Sequence, residues 1–289
     1  MVGEFVVPSV AALPAAAIDP SLLSPVAAVL EAGPIEEAVA DVLGEDWGFV
    51  VRNADYLLWG AAITVALTFT SIFLGFLAGF PAGAIEVYGS GYSRAFVRKT
   101  GVLLRGTPII VIMIYMFYVL PIEPLLGAVG WTLTWIDTVL GPTPFTVPTN
   151  VPEPFVAATL ALGLRSAAYQ SQIFRGALQS IDEGQMEAAR SIGMSRLQAI
   201  RHVIVPQALR RSVPGFQNEF TIVLKDTSIA FAIGLAELLK RSRDLFINET
   251  TAVLEVILFM SLIYFVLTFG TNRLLDYLSN TFAIPGETS

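Results

Sequence analysis

The sequence predicts an all-α integral membrane protein with five transmembrane helices and a helix–turn–helix on the cytoplasmic side. Three observations predict it. Of the 289 residues, 54% are hydrophobic and only 14% charged, against about 25% charged in soluble domains. The mean hydropathy is +0.67. Five apolar stretches, 57–85, 102–120, 155–174, 213–235 and 252–275, are each long enough to cross about 30 Å of hydrocarbon at about 1.5 Å per residue. Runs this continuous lack the alternation of a barrel strand, so they read as helices.

The remaining composition excludes much chemistry. With no cysteine there is no disulfide framework, thiolate metal site or cysteine nucleophile. One histidine, His202, leaves almost no scope for a histidine-ligated metal or a serine–histidine pair. No catalytic residue, metal or cofactor is expected. The net charge of −7 disfavours nucleic acid.

Residues 1–55 hold nine acids and one arginine, with five prolines among alanines. Glu4 stands where a signal peptide needs positive charge, so an acidic Pro/Ala-rich external tail is expected. The membrane-spanning unit is 56–278, and 279–289 is a short cytoplasmic tail. In the first span, Gly75, Gly79 and Gly83 form the small-xxx-small spacing of close helix packing. Basic residues set the orientation. Arg94, Arg98, Lys99 and Arg105 after span one, and Arg175, Arg190, Arg196, Arg201, Arg210 and Arg211 after span three, place both connections in the cytoplasm. The connection at about 121–154 carries acids and no base, so it lies outside, with an interfacial helix expected at 131–140. The N-terminus is then outside and the C-terminus inside. Lys240, Arg241 and Arg243 fall outside, against the rule.

The cytoplasmic segment at about 182–205 is the most informative. Asp182 with Gln185, and Ser195 with Gln198, have capping-box spacing. Gly193 fits a left-handed helix end between them. Glu187 beside Ala188 and Ala189 makes a face with little side-chain bulk, and Pro206 and Pro214 are expected to stop and redirect the chain. Such a face suits a groove in another protein; a helix pair lying on membrane lipid is the plain alternative.

Charges inside spans cost about 2.5–3.5 kcal/mol each on insertion scales. Span four carries Glu219, Lys225 and Asp226, and span three carries Arg165. Asn218, Thr221, Lys225 and Ser228 share one helical stripe, and Glu219 and Asp226 a neighbouring one. Lys225 and Asp226 together would match a zwitterionic amino acid, with Asn218 and Ser228 as uncharged partners. An internal ion pair that only fixes helix packing is the alternative. Glu255 and His202 read as solvated or packed residues.

Glu187-Ala188-Ala189, Gly193 and Val203-Ile204-Val205-Pro206 resemble the signature of ABC importer permeases, with valines where isoleucine and leucine are commoner. Further stretches resemble the polar amino-acid branch that imports histidine, glutamate, glutamine, arginine or opines. They are Arg105-Gly106-Thr107-Pro108, Ser166-Ala167-Ala168-Tyr169, Ile173-Phe174-Arg175-Gly176, Pro206-Gln207-Ala208-Leu209-Arg210 and Lys225-Asp226-Thr227-Ser228. The resemblance spans about 57–275 and implies a type I ABC importer-like fold. It makes the elbow the coupling helix, with Glu187, Ala188, Ala189, Gly193 and Pro206 facing a separate ABC ATPase. It also places Arg165, Asn218, Glu219, Lys225, Asp226 and Ser228 along the substrate pathway. Implied partners are ATPase subunits, an extracellular substrate-binding protein, a second permease subunit, an amino-acid substrate and membrane lipid. No GxxxxGK[ST] loop is present, so nucleotide hydrolysis belongs to the partner. Arg165 departs from the family, where an uncharged residue is common; it fits either selection of an acidic side chain or neutralisation of Glu219. A gradient-driven amino-acid carrier without an ATPase is the alternative function, though no repeat of the kind such carriers show is visible.

Overall fold

The computed structural model describes residues 33–121 and 152–281, with residues 124 and 127. The expected outer helix at 131–140, most of the N-terminal tail and the end of the C-terminal tail lie outside the described residues. Among the described residues, every regular element is helical. Two short helices, α1 (Gly33–Leu43) and α2 (Glu45–Arg52), precede the long α3 (Ala54–Tyr88). Next come α4 (Gly91–Gly106) and α5 (Ile109–Tyr118), then α6 (Glu153–Gln179). The elbow consists of α7 (Glu183–Ser191) and α8 (Arg196–Ala199). A π-helical turn, Ile200–Ile204, joins α8 to α9 (Val205–Asp226), which tightens into a 3-10 segment, Thr227–Ile233. The last helices are α10 (Leu238–Asn248) and α11 (Val253–Thr281).

The centre of the fold is α3 laid along α6. Thr64, Thr68, Ser71, Gly75, Gly79 and Gly83 form the buried stripe of α3. A Cβ on Gly79 would lie 2.7 Å from the carbonyl oxygen of Ala167, and one on Gly83 2.7 Å from that of Ser171. Ala157, Ala158, Ala161, Ser166 and Ala167 are the buried counterpart on α6. Small side chains on both helices let the backbones meet, and dispersion and polar contacts then hold them. Thr70 meets Thr159, and Gly83 meets Ser171 and Phe174, so the two helices run parallel. The chain between them must therefore return to the side where α3 began. Arg165–Asp226 and Ser180–Arg211 contacts make α9 antiparallel to α6. Thr221–Asn272 and Gln217–Asp276 make α11 antiparallel to α9.

Three apolar clusters flank this seam. One joins α3, α5, α6 and the 3-10 segment through Leu67, Met113, Leu162 and Ile233. A second joins α2, α3, α10 and α11 through Val50, Leu57, Leu238 and Val256. The end of the expected N-terminal tail is thus helical and anchored, because Val50 is buried against the bundle. The third joins α6 to the elbow and α9 through Leu178, Ile181, Ile204 and Ala208.

Among the described residues, α3 and the Val253–Tyr277 part of α11 are long and apolar enough to cross a membrane. Phe69, Phe73 and Leu77 of α3 and Leu262, Phe265 and Phe269 of α11 stand exposed along them. The span expected at 102–120 is not one straight helix: α4 and α5 meet at 103°, and they would make a third crossing only if counted together. Pro108 disfavours the helical conformation at Thr107, whose ψ is 130°, and α4 ends there. Helices α6 and α9 bear the charged and polar residues singled out above and do not qualify by composition.

The two prolines of α9 do not stop the chain as expected. Pro206 follows directly on a π-helical turn, and the helix continues through it and through Pro214. Just upstream the ladder slips by one residue, with the Val205 N–H reaching Ile200 O.

The Gly79→Ala variant is expected to lower the thermal unfolding midpoint of the detergent-purified chain, by about 1–3 kcal/mol of stability, because backbone atoms of α6 block the new methyl. Gly270→Ala, with nothing within 4 Å, is the control that should not fall.

Candidate functional site

Helical geometry separates two sets of groups on α9, and neighbouring helices decide their environments. Positions 219 and 226 lie seven residues apart on one stripe facing α6. There Asp226 forms an ion pair with Arg165, and both side chains are about one-fifth exposed. The Arg165 guanidinium also lies 5.3 Å from the Tyr169 ring centre. Glu219 is buried and faces Ser166 and Arg165. Arg165, Glu219 and Asp226 therefore form one cluster between α6 and α9, carrying one positive and two negative formal charges.

Asn218 and Lys225 face away from this cluster and are exposed. Lys225 and Asp226, adjacent on the helix, point about 100° apart. Ser228 donates to Lys225 O within its own turn, 2.7 Å, and Thr221 bonds Asn272 of α11, 2.7 Å. Asp226 is thus engaged by Arg165 in a half-buried pair, while Asn218 and Lys225 lie on an open stripe. Arg165 thus pairs directly with Asp226, and Glu219 lies beside that pair.

At the other end of α9, the elbow is built by its caps. The Asp182 carboxylate accepts the Gly184 N–H at 2.7 Å. Its expected box is only half made: Gln185 accepts from Gln207 of α9, 3.3 Å, instead of turning back. The Ser195–Gln198 box is complete, at 2.8 Å and 3.4 Å. Gly193, at φ +90°, closes α7 with Gly193 N bonding Arg190 O and Met194 N bonding Ala189 O.

Glu187 and Ala188 are exposed as expected, whereas Ala189 is buried against the rest of the elbow. Pro206 is exposed at the α9 end. Two large apolar side chains that the sequence reading passed over, Ile192 and Leu197, are each 75% exposed at the tip. Ile192, Gly193, Met194, Gln198 and His202 line a hollow of ≈ 390 Å³ there. The elbow is fastened to the spans by the cluster of Leu178, Ile181 and Ile204 and by Arg211, which donates to Ser180 O.

Glu237 also went unremarked. It is fully buried at the start of α10, where it accepts the N–H groups of Leu239 and Lys240 at 2.8 and 2.9 Å and the Tyr264 hydroxyl at 3.3 Å. Glutamate is not among the preferred helix caps, so no sequence signal marked it. A further buried acid, Glu86, receives Gln172 Nε2 at 2.7 Å. Glu237→Ala should destabilise the chain by about 0.5–2 kcal/mol, the usual cost of losing a cap, and Glu237→Gln by less, since an acceptor remains. Thermal unfolding of both variants in detergent checks this order.

Comparison with known proteins gives the geometry its setting. Residues 71–283 match the family described as "Binding-protein-dependent transport system inner membrane component". The chain is 29% identical over 231 residues to the nopaline transport system permease protein of Agrobacterium fabrum, covering 79% of this chain and 88% of that protein. It is 30% identical over 232 residues to the glutamine transport system permease protein of Escherichia coli, covering 79% and 95%. Among solved structures, an amino acid ABC transporter with histidines aligns over 81% of this chain and 97% of that one, at 27% identity and a TM-score of 0.64. The methionine ABC transporter in an inward-facing conformation shares the fold, at 20% identity and a TM-score of 0.52. The chain belongs to the binding-protein-dependent inner-membrane transport family, the non-catalytic permease subunits of ABC importers, and its branch is that of the amino-acid permeases.

Proposed function

We propose that two permease subunits of this kind meet around a central path and import polar amino acids, acidic ones among them, with energy supplied by two separate ATPases. Each subunit crosses the cell membrane five times, with its N-terminus outside and C-terminus inside. The directions of α3, α6, α9 and α11 support that count, because parallel α3 and α6 require an intervening crossing. An external binding protein delivers the amino acid.

The observation that carries the mechanism is the elbow. It presents Glu187, Ala188, Ile192 and Leu197 to a partner while its base is bonded to α6 and α9. An ATPase that closes on nucleotide pushes such a rigid finger, and the push passes into α9. The spans then alternate between inward- and outward-facing states. Along α9 the substrate meets Asn218, Lys225 and Ser228 on the open stripe. Arg165, Glu219 and Asp226 form the charged wall behind it, with Arg165 free to exchange Asp226 for a substrate carboxylate as the helices move.

The test is uptake and ATP hydrolysis by the assembled importer in proteoliposomes. Glu187→Lys and Gly193→Val should each lower both by at least about tenfold, a loss of about 1.4 kcal/mol of coupling, with the permease still present in the membrane. Full transport by the chain without an ATPase, or after ATP depletion with ion gradients held, would overturn the reading in favour of a gradient-driven carrier.

The Arg165→Ala variant should lower uptake of glutamate or aspartate relative to a neutral amino acid by about tenfold or more. An unchanged ratio sinks the selectivity role and leaves Arg165–Asp226 as a packing pair.

A further inference from the structure

The short connection between α10 and α11 carries a pattern that transport does not use. Asn248-Glu249-Thr250 is the only Asn-x-Ser/Thr triplet in the chain. On the outer side of a membrane such a triplet is the acceptor for an N-linked oligosaccharide. A triplet alone arises readily by chance, so its local structure and its side of the membrane decide. Helix α10 ends at Asn248, and Glu249 leaves it with extended backbone, φ −125° and ψ 95°. Asn248 and Thr250 are both exposed, and neither side chain has a hydrogen bond or ion pair among the described residues. Their neighbours hold the turn in place. Thr251 Oγ1 lies 2.8 Å from Asp46 Oδ1 of α2 and 3.1 Å from Glu249 Oε1. The acceptor amide and the hydroxyl two residues on are therefore free in solvent, on a turn that is itself tied to the bundle.

The helix directions put this turn at the end of the bundle opposite the elbow. Asn272 and Asp276, late in α11, meet Thr221 and Gln217 in the half of α9 that rises from the elbow. The apolar stretch of α11 begins at Val253, at its other end, and the triplet precedes it. With the elbow in the cytoplasm, the triplet is outside; the inference rests on that orientation, proposed above. From this placement we infer that Asn248 is a modification site, bearing an oligosaccharide on its amide nitrogen. The donor is a lipid-linked oligosaccharide. Asn248 Nδ2 forms a bond to the anomeric carbon while the bond from that carbon to the lipid phosphate breaks. The electron pair leaves on the phosphate oxygen, and an amide proton passes to a base of the host's transferase, so nothing is oxidised or reduced. The Thr250 hydroxyl is the recognition group at the second position of the motif.

The test is mass spectrometry of peptides spanning Asn248, cut from the full-length chain in membranes of its own host. The wild type should carry a sugar mass on Asn248. Asn248→Gln and Thr250→Val should lose it, and Thr250→Ser should keep it, because a hydroxyl remains. A bare Asn248 in the wild type overturns the inference, and so does a glycan that survives Thr250→Val. Orientation is read separately. The chain has no cysteine, so Asn248→Cys supplies its single thiol for a membrane-impermeant maleimide added to intact cells. Labelling from outside together with a bare wild-type Asn248 strikes the modification alone. A thiol that reacts only after the cells are opened strikes the orientation and the modification together.

Discussion

Close approach of α3 to α6 is the constraint on which the rest of the molecule depends. Lipid offers two helices little hydrophobic reason to associate, so contact has to come from dispersion, which falls off steeply with distance. Glycines at 75, 79 and 83 facing alanines and serines of α6 bring the backbones together. Gln170 fills the remaining space and donates to Ser166 Oγ at 3.0 Å and to Ile72 O at 3.2 Å, so a polar layer also crosses the seam. Every functional group then takes its position from α6: Arg165 at its middle, the elbow at its end, and α4 tied to its Ala168 carbonyl.

Helix α9 connects these stations. Its base shares an apolar cluster with the elbow, its middle places Glu219 and Asp226 against Arg165, and its far end tightens into the 3-10 segment that packs with α5 and α6. The π-helical turn at its base is a local departure from the regular ladder where Pro206 provides no N–H. In the proposed cycle a displacement of the elbow is therefore delivered through a stiff helix to the charged cluster. The low dielectric there makes the exchange of one charge partner for another energetically significant.

Much of this was legible in the residues. The long apolar runs at 57–85 and 252–275 became α3 and α11, and the glycine spacing named the packing face of α3 correctly. Ser195 with Gln198, and Gly193, gave the elbow its caps because capping is a local hydrogen-bond event between residues three to five apart. The resemblance carried by Glu187-Ala188-Ala189, Gly193 and Pro206 led to the family that residues 71–283 match. Less legible were the 103° break at Thr107–Pro108, which apolar composition concealed, and the passage of α9 through Pro214. Glu237, Ile192 and Leu197 carried no local signal at all.

The sequence by itself determined which long apolar segments are helical, where the elbow is capped, and which charges must be carried into an apolar environment, because these follow from hydrophobicity and from neighbours within one or two turns. Only the tertiary structure decided that Arg165 takes Asp226, that Lys225 is left on the open face, and that Ala189 is buried while Ile192 and Leu197 stand out. Such choices depend on the distance and rotation between helices dozens of residues apart, and no spacing within a single helix encodes them.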